Sequence, residues 1–76
     1  MTETVSNEQL LTDISNTEKE CNAYQNIVSG FTALSELPET KNPYMFQVTA
    51  RAYGGLLIGC TELLEKLRKI RRERGL

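Results

Sequence analysis

Residues 43–76 read PYMFQVTARAYGGLLIGCTELLEKLRKIRRERGL, a stretch with no proline after its first residue. Within it Phe46, Thr49, Tyr53, Leu56, Cys60, Leu63, Leu67 and Ile70 recur at alternating steps of three and four. That spacing lays one stripe along an amphipathic α-helix. Asn42 suits the N-cap, Pro43 the first helical position, and Gly75 the stop. A helix from Pro43 to about Glu73 would be roughly 46 Å long at 1.5 Å per residue. Gln47–Ala50 alternates too briefly to read as a strand.

Immediately upstream lies Leu37-Pro38-Glu39-Thr40-Lys41-Asn42-Pro43. Each proline biases the residue before it away from the helical region, so residues 38–42 form a turn. A connection this short joins antiparallel helices. On its far side Leu10, Ile14, Thr17, Cys21, Tyr24, Val28 and Phe31 continue the four-and-three spacing without a slip. Two start signals precede them: Ser6 with Gln9, and Thr17 with Glu20, each the pattern of a capping box. One helix from Asn7 to Glu36, or a short helix near 7–14 that breaks at Ser15-Asn16, both fit. We therefore divide the chain into residues 1–16, frayed or a helical extension, and a hairpin over 17–76, with helices at about 17–37 and 43–74. Gly30 weakens the first helix by roughly 1 kcal/mol and suggests close packing against the second.

Folding the chain near residue 40 sets Cys21 opposite Cys60, Tyr24 near Leu56 and Leu57, Val28 near Tyr53, Phe31 near Thr49 or Ala50, Ile14 near Leu67, and Leu10 near Ile70. The same fold brings Glu8 and Asp13 beside Lys66, Arg68, Lys69 and Arg72. Such surface pairs contribute about 0–1 kcal/mol each. The fold class is thus all-α, an antiparallel helical hairpin.

Composition bounds the function. Among 76 residues the net charge is −1, which gives no bulk attraction to nucleic acid or anionic membrane. Charge is polarised, however, with five acids in residues 1–20 and six cations in residues 66–76. With no His the usual general base is missing, and no triad can be assembled, so an enzyme is not expected. Two cysteines and no His make a metal or cofactor site unexpected as well. The polar, acidic start lacks the pattern of a secretory leader, and no apolar run spans a membrane, so a cytoplasmic location and free, buried thiols are expected.

A hairpin buries one side of each helix. Leu11, Ile27, Leu34, Tyr44, Met45, Val48, Ile58 and Leu64 fall off the stripes, a load that implies a second hairpin and a homodimeric four-helix bundle. Gly55 and Gly59, four apart and extended by Ala52, have the spacing of close helix contact. The candidate dimer or partner contacts are therefore Ile27, Leu34, Tyr44, Met45, Val48, Gly55, Ile58, Gly59 and Leu64. Arg68, Lys69, Arg71, Arg72 and Arg74 form a basic helix end that suits phosphates or an acidic partner. No helix-turn-helix pattern accompanies them.

The segment TEKECNAYQNIVSGF (Thr17–Phe31) with the turn ELPETKNP (Glu36–Pro43) resembles the small early proteins of lambda-like and Shiga-toxin phages, those encoded between the exonuclease and excisionase genes. The resemblance covers most of the chain from Thr17 onward and rests on overall texture. It implies a helical accessory protein, made early after infection or induction, that acts on host physiology or the lysis–lysogeny choice. It carries over no catalytic residues. The expected function is protein–protein interaction with a host or phage factor in the bacterial cytoplasm, including anti-host inhibition by helix-in-groove contact. Nucleic-acid binding through the basic end is the alternative.

Overall fold

Ser6 starts the first helix: its hydroxyl accepts the Gln9 amide at 3.1 Å, satisfying one of the amides a helix start leaves unpaired. From there α1 runs Asn7–Glu36 in a computed structural model, which describes residues 5–76. The Gln9 side chain does not close the capping box; it donates to Asp13 Oδ1 at 2.8 Å. Nor is the second start at Thr17 used. Thr17 is buried inside α1, and its hydroxyl donates to the Asp13 carbonyl one turn back at 2.7 Å. The helix therefore passes Ser15-Asn16 unbroken, because Leu10 and Ile14 on its N-terminal side are the two most buried residues of the core. Tertiary burial outweighs the indifferent helix propensity of Ser and Asn.

Leu37 leaves the helix in extended geometry, as the residue before a proline must. The Thr40 amide donates to the Leu37 carbonyl at 3.1 Å, and the Thr40 hydroxyl donates to the Leu34 carbonyl at the end of α1. Asn42 then caps α2 by accepting the Met45 amide at 3.4 Å, with Pro43 in the first turn. α2 spans Pro43–Glu73. It ends in a left-handed Gly75 (φ 72°), with the Leu76 amide donating to the Arg71 carbonyl and the Gly75 amide to the Arg72 carbonyl. This is the paired Schellman closure, and among the described residues it is the one place where the backbone requires glycine.

The two helices pack antiparallel along their full length. At the open end Leu10, Ile14 and Leu64 form the buried core, with Cys21 and Leu67 packed against it. Toward the turn the contact becomes aromatic. Tyr24 meets Tyr53 with ring centroids 6.1 Å apart, and Phe31 lies between Phe46 (5.9 Å) and Tyr53 (6.4 Å). Each such pair adds about 0.5–1.5 kcal/mol beyond its area. Ala50, buried between the Phe46 and Tyr53 positions, completes this end.

The α1 stripe is inside as expected, from Leu10 to Phe31. On α2 every second member of the expected stripe moves by one residue. Phe46, Tyr53, Cys60 and Leu67 face inward, but Ala50, Leu57 and Leu64 replace Thr49, Leu56 and Leu63. Leu56 and Leu63 are half exposed, and Ile70 is 38% exposed. The adjacent pairs Leu56-Leu57 and Leu63-Leu64 satisfy either phase of the heptad. Ala50 is buried in the phase observed, whereas Thr49 beside it is half-buried and its hydroxyl donates to the Met45 carbonyl at 2.9 Å.

Candidate functional site

The corrected phase defines two flanks of the hairpin. On one side, steps of seven give Asp13, Glu20, Ile27 and Leu34 on α1 and Thr49, Leu56, Leu63 and Ile70 on α2. These rows are neighbours. Glu20 and Tyr24 share a shallow depression with Gly55, Leu56, Gly59, Cys60 and Leu63. Asp13, Asn16, Thr17 and Glu20 share another with Leu63 and Leu67. On the opposite flank, the same steps give Leu11, Glu18, Gln25 and Thr32 facing Gln47, Gly54, Thr61 and Arg68. Apart from Leu11 that side is polar or glycine, and it carries the ion pair of Arg68 with Glu18 at 3.6 Å. Both side chains are about half exposed, so the pair adds about 0–1 kcal/mol. The hairpin thus has one polar flank and one flank that is largely apolar.

The expected contact residues divide between these surfaces. Ile27 and Leu34 lie in the apolar flank, lining a shallow hollow with Gly30 and Phe31. Gly59 and Met45 belong to the next row outward, and Val48 and Gly55 border it. Tyr44 and Ile58 lie on the outer surface of α2 instead, in the row of Arg51, at 69% and 63% exposure. Leu64 is corrected outright: it is 7% exposed and belongs to the hairpin's own core, where no partner reaches it. Leu56, Leu63 and Ile70 take its place on the apolar flank. The sequence signal for them is the seven-residue row itself. Gly30 is corrected as well. A Cβ there would meet nothing within 4 Å, and the same holds at Gly54, Gly55 and Gly59, so no close approach within the described chain accounts for these glycines.

The basic end is less available than its composition suggests. Arg68 pairs with Glu18, not with Glu8 or Asp13. Arg74 Nη1 donates to the Val5 carbonyl at 2.6 Å and to Asn7 Oδ1 at 3.1 Å, tying the end of the chain to the start of α1. Arg71 Nε donates to the Leu76 carbonyl at 3.3 Å. Lys69 and Arg72 share their surface with Glu62, Glu65 and Lys66.

Cys21 and Cys60 meet as the folding register requires. The Cys21 thiol donates to Cys60 Sγ at 3.0 Å, and the Cys60 thiol donates to the Thr17 carbonyl at 3.6 Å. Both are free. The contact with the Cys21 sulfur, and burial after it, push the Cys60 thiol up to about 11. A thiol held protonated at neutral pH is a poor nucleophile and a poor metal ligand. Among the described residues no helix is long and apolar enough to cross a membrane, and no cluster of three or more His, Cys, Asp or Glu could hold a metal ion.

Fold and flank together define the class: an all-α antiparallel helical hairpin with one apolar side that the described residues leave uncovered. No protein-family model, curated protein or solved structure matches the chain.

Proposed function

We propose that this chain is a non-catalytic interaction module that works by helix-to-helix contact with a second protein. It is a regulatory accessory protein of the kind that lambda-like phages make early, acting in the cytoplasm of a bacterial host. The observation that carries the reading is the apolar flank, on which Leu34, Leu56 and Leu63 are 40–52% exposed and left uncovered by the described residues of the hairpin. Large apolar side chains grouped on one side of a small domain mark a contact surface rather than ordinary surface scatter. The phage setting rests on the resemblance over Thr17–Phe31 and the turn after it. Nucleic-acid binding by the basic end has less support, because Arg68, Arg71 and Arg74 are already engaged by groups of the same chain.

Two measurements test the reading. The first is capture of proteins from a bacterial extract with the wild-type chain and with Leu56→Glu/Leu63→Glu, together with sedimentation of each alone. Association that wild type shows and the double variant does not, with helix content retained, supports it. A chain that stays monomeric at about 100 µM and retains the same proteins in both forms would overturn it. The second is fluorescence anisotropy with duplex DNA at about 50 mM salt. Tight binding that falls steeply with salt and is lost in Arg71→Ala/Arg72→Ala/Arg74→Ala would move the function to the basic end.

A further inference from the structure

The chain has two cysteines, and the hairpin brings their sulfurs to 3.0 Å across a sequence separation of 39 residues. Each stands at an inward position of its helix, Cys21 one heptad after Ile14 and Cys60 one heptad after Tyr53. A disulfide holds its sulfurs at about 2.05 Å, so these two need to close by only about 1 Å. Forming that bond would leave no buried polar group without a partner. The Cys60 thiol would give up its hydrogen bond to the Thr17 carbonyl at 3.6 Å, but that carbonyl keeps the helical bond it makes inside α1. A thiol is a weak donor, so little is lost.

The hairpin also has little else to hold it closed. Among the described residues its buried apolar side chains are Leu10, Ile14, Ala50, Cys60 and Leu64. Its accessible area is 5924 Å², against roughly 4,700 Å² for a folded monomer of this mass. In so thin a fold a single covalent link is a large share of the stability. The link would also lie where it constrains most. It would tie α1 to α2 between the buried leucine core and the aromatic end, closing a loop that contains the turn and the packed rings of Tyr24, Phe31, Phe46 and Tyr53.

We infer that Cys21 and Cys60 form a redox clasp, a dithiol that a small-molecule disulfide oxidises to one intrachain bond holding the hairpin closed. The clasp goes beyond the interaction reading and does not depend on it. Cys21 is half-buried and Cys60 is buried, so the oxidant, written RSSR, meets Cys21 first. The Cys21 thiolate attacks one sulfur of RSSR; a Cys21–S–S–R bond forms, the bond within RSSR breaks, and the departing thiolate takes up the proton that Cys21 released. The Cys60 sulfur then attacks Cys21 Sγ. The bond to R breaks, and a second RSH leaves with the Cys60 proton. Two protein thiols are thereby oxidised, and one RSSR is reduced to two RSH. The second step is the slow one, because the contact with the Cys21 sulfur and burial hold the proton on Cys60. Reduction by RSH runs the same steps backward. Whatever stability the bond gives the fold, the fold gives the bond, so the native chain is the easier one to oxidise fully. Once closed, the clasp pins α2 against α1 at Cys60, between Leu56 and Leu63 of the apolar flank.

The test is a redox titration of the full chain with bis(2-hydroxyethyl) disulfide, an uncharged reagent that Glu18 and Glu20 do not repel. Samples are quenched with acid and read by intact mass. The clasp is lighter than the reduced chain by two hydrogen atoms, whereas an adduct is heavier by one half of the reagent. At a fixed concentration of reagent thiol, the native chain should close at a reagent disulfide concentration on the order of a hundredfold lower than the same chain in concentrated urea. The clasped chain should melt roughly 20 °C above the reduced one, and dithiothreitol should reverse the gain. Cys60→Ala should stop at the Cys21 adduct, and Cys21→Ala should form its adduct several-fold more slowly than Cys60→Ala does. Three results each overturn the clasp: native wild type that accumulates adducts or cross-linked pairs of chains instead of the lighter product, closure no easier in the native chain than in urea, or a melting temperature that closure leaves unchanged. The comparison of native with unfolded wild type needs no variant, so it stands even where an alanine substitution unfolds the chain. None of these readouts involves a partner, so the clasp and the interaction reading fail separately.

Discussion

Cys60 is the residue whose chemistry the fold changes most. Its thiol is raised from 9.0 to about 11, chiefly by the contact with Cys21. A raised thiol pKa means that the native state holds the proton more tightly than the unfolded chain. The resulting stability is complete below pH 9 and is lost as pH rises through 11. The melting temperature should therefore fall between pH 9 and 11 more steeply in wild type than in Cys60→Ala, which thermal scans by circular dichroism would reveal. Leu64 and Leu63, adjacent in sequence, should separate by function. Leu64→Ala opens the core and should destabilise the chain by about 2–4 kcal/mol in urea titrations. Leu63→Ala should leave monomer stability within about 1 kcal/mol and act on association instead. A larger effect of Leu63 than of Leu64 on folding would return the helix phase to the one expected from sequence.

At the scale of the elements, the glycines of α2 offer the sharpest separation of folding from binding. Each costs a helix roughly 1 kcal/mol relative to alanine, and none is required by a contact within the described chain. Gly59→Ala should thus stabilise the isolated hairpin by up to about 1 kcal/mol while weakening association, because it fills the approach space on the apolar flank. Gly54→Ala, on the polar side, should give the same stability and leave association unchanged; nothing in the structure explains Gly54. Urea titration paired with sedimentation distinguishes the two substitutions, and equal effects on association would argue that the flank is not the contact. These elements are largely legible in the sequence. Two prolines and Asn42 define the turn, the four-and-three spacing defines both helices, and the folding register brings Cys21 to Cys60. The phase of α2 is not legible in the same way. Leucines at both 56 and 57 and at both 63 and 64 satisfy either stripe, so the choice shows only in which of each pair the fold buries. The candidate contact surface inherits that ambiguity, since the stripe alone puts Leu64 outside and Leu56 and Leu63 inside. The ties of Arg74 to Val5 and Asn7 are equally hidden, because meetings between chain ends depend on the whole length of the hairpin.

For the whole molecule, a slab 15 Å thick must draw much of its stability from whatever covers it. If a second copy does so, folding and association are one equilibrium, and the melting temperature depends on concentration. The size of that dependence follows from general quantities. Unfolding releases about 2.1 cal/mol/K per residue, or roughly 0.3 kcal/mol/K for two chains of this length. A tenfold rise in concentration favours the dimer by about 1.4 kcal/mol. The melting temperature should therefore climb by about 4 °C per tenfold increase in protein, read by circular dichroism from low to high micromolar concentrations. Leu63→Glu should flatten that dependence while preserving the helical spectrum at low temperature. Salt adds a second axis. At 1 M salt the Debye length shrinks to about 3 Å, so any ion pairs at the edge of the contact contribute less while apolar burial is untouched. Association should weaken under those conditions but persist. Complete dissociation by salt would mean that ion pairs alone hold the copies together. A melting temperature independent of concentration would mean that the hairpin is stable as a single layer, with its apolar flank exposed until a different protein covers it.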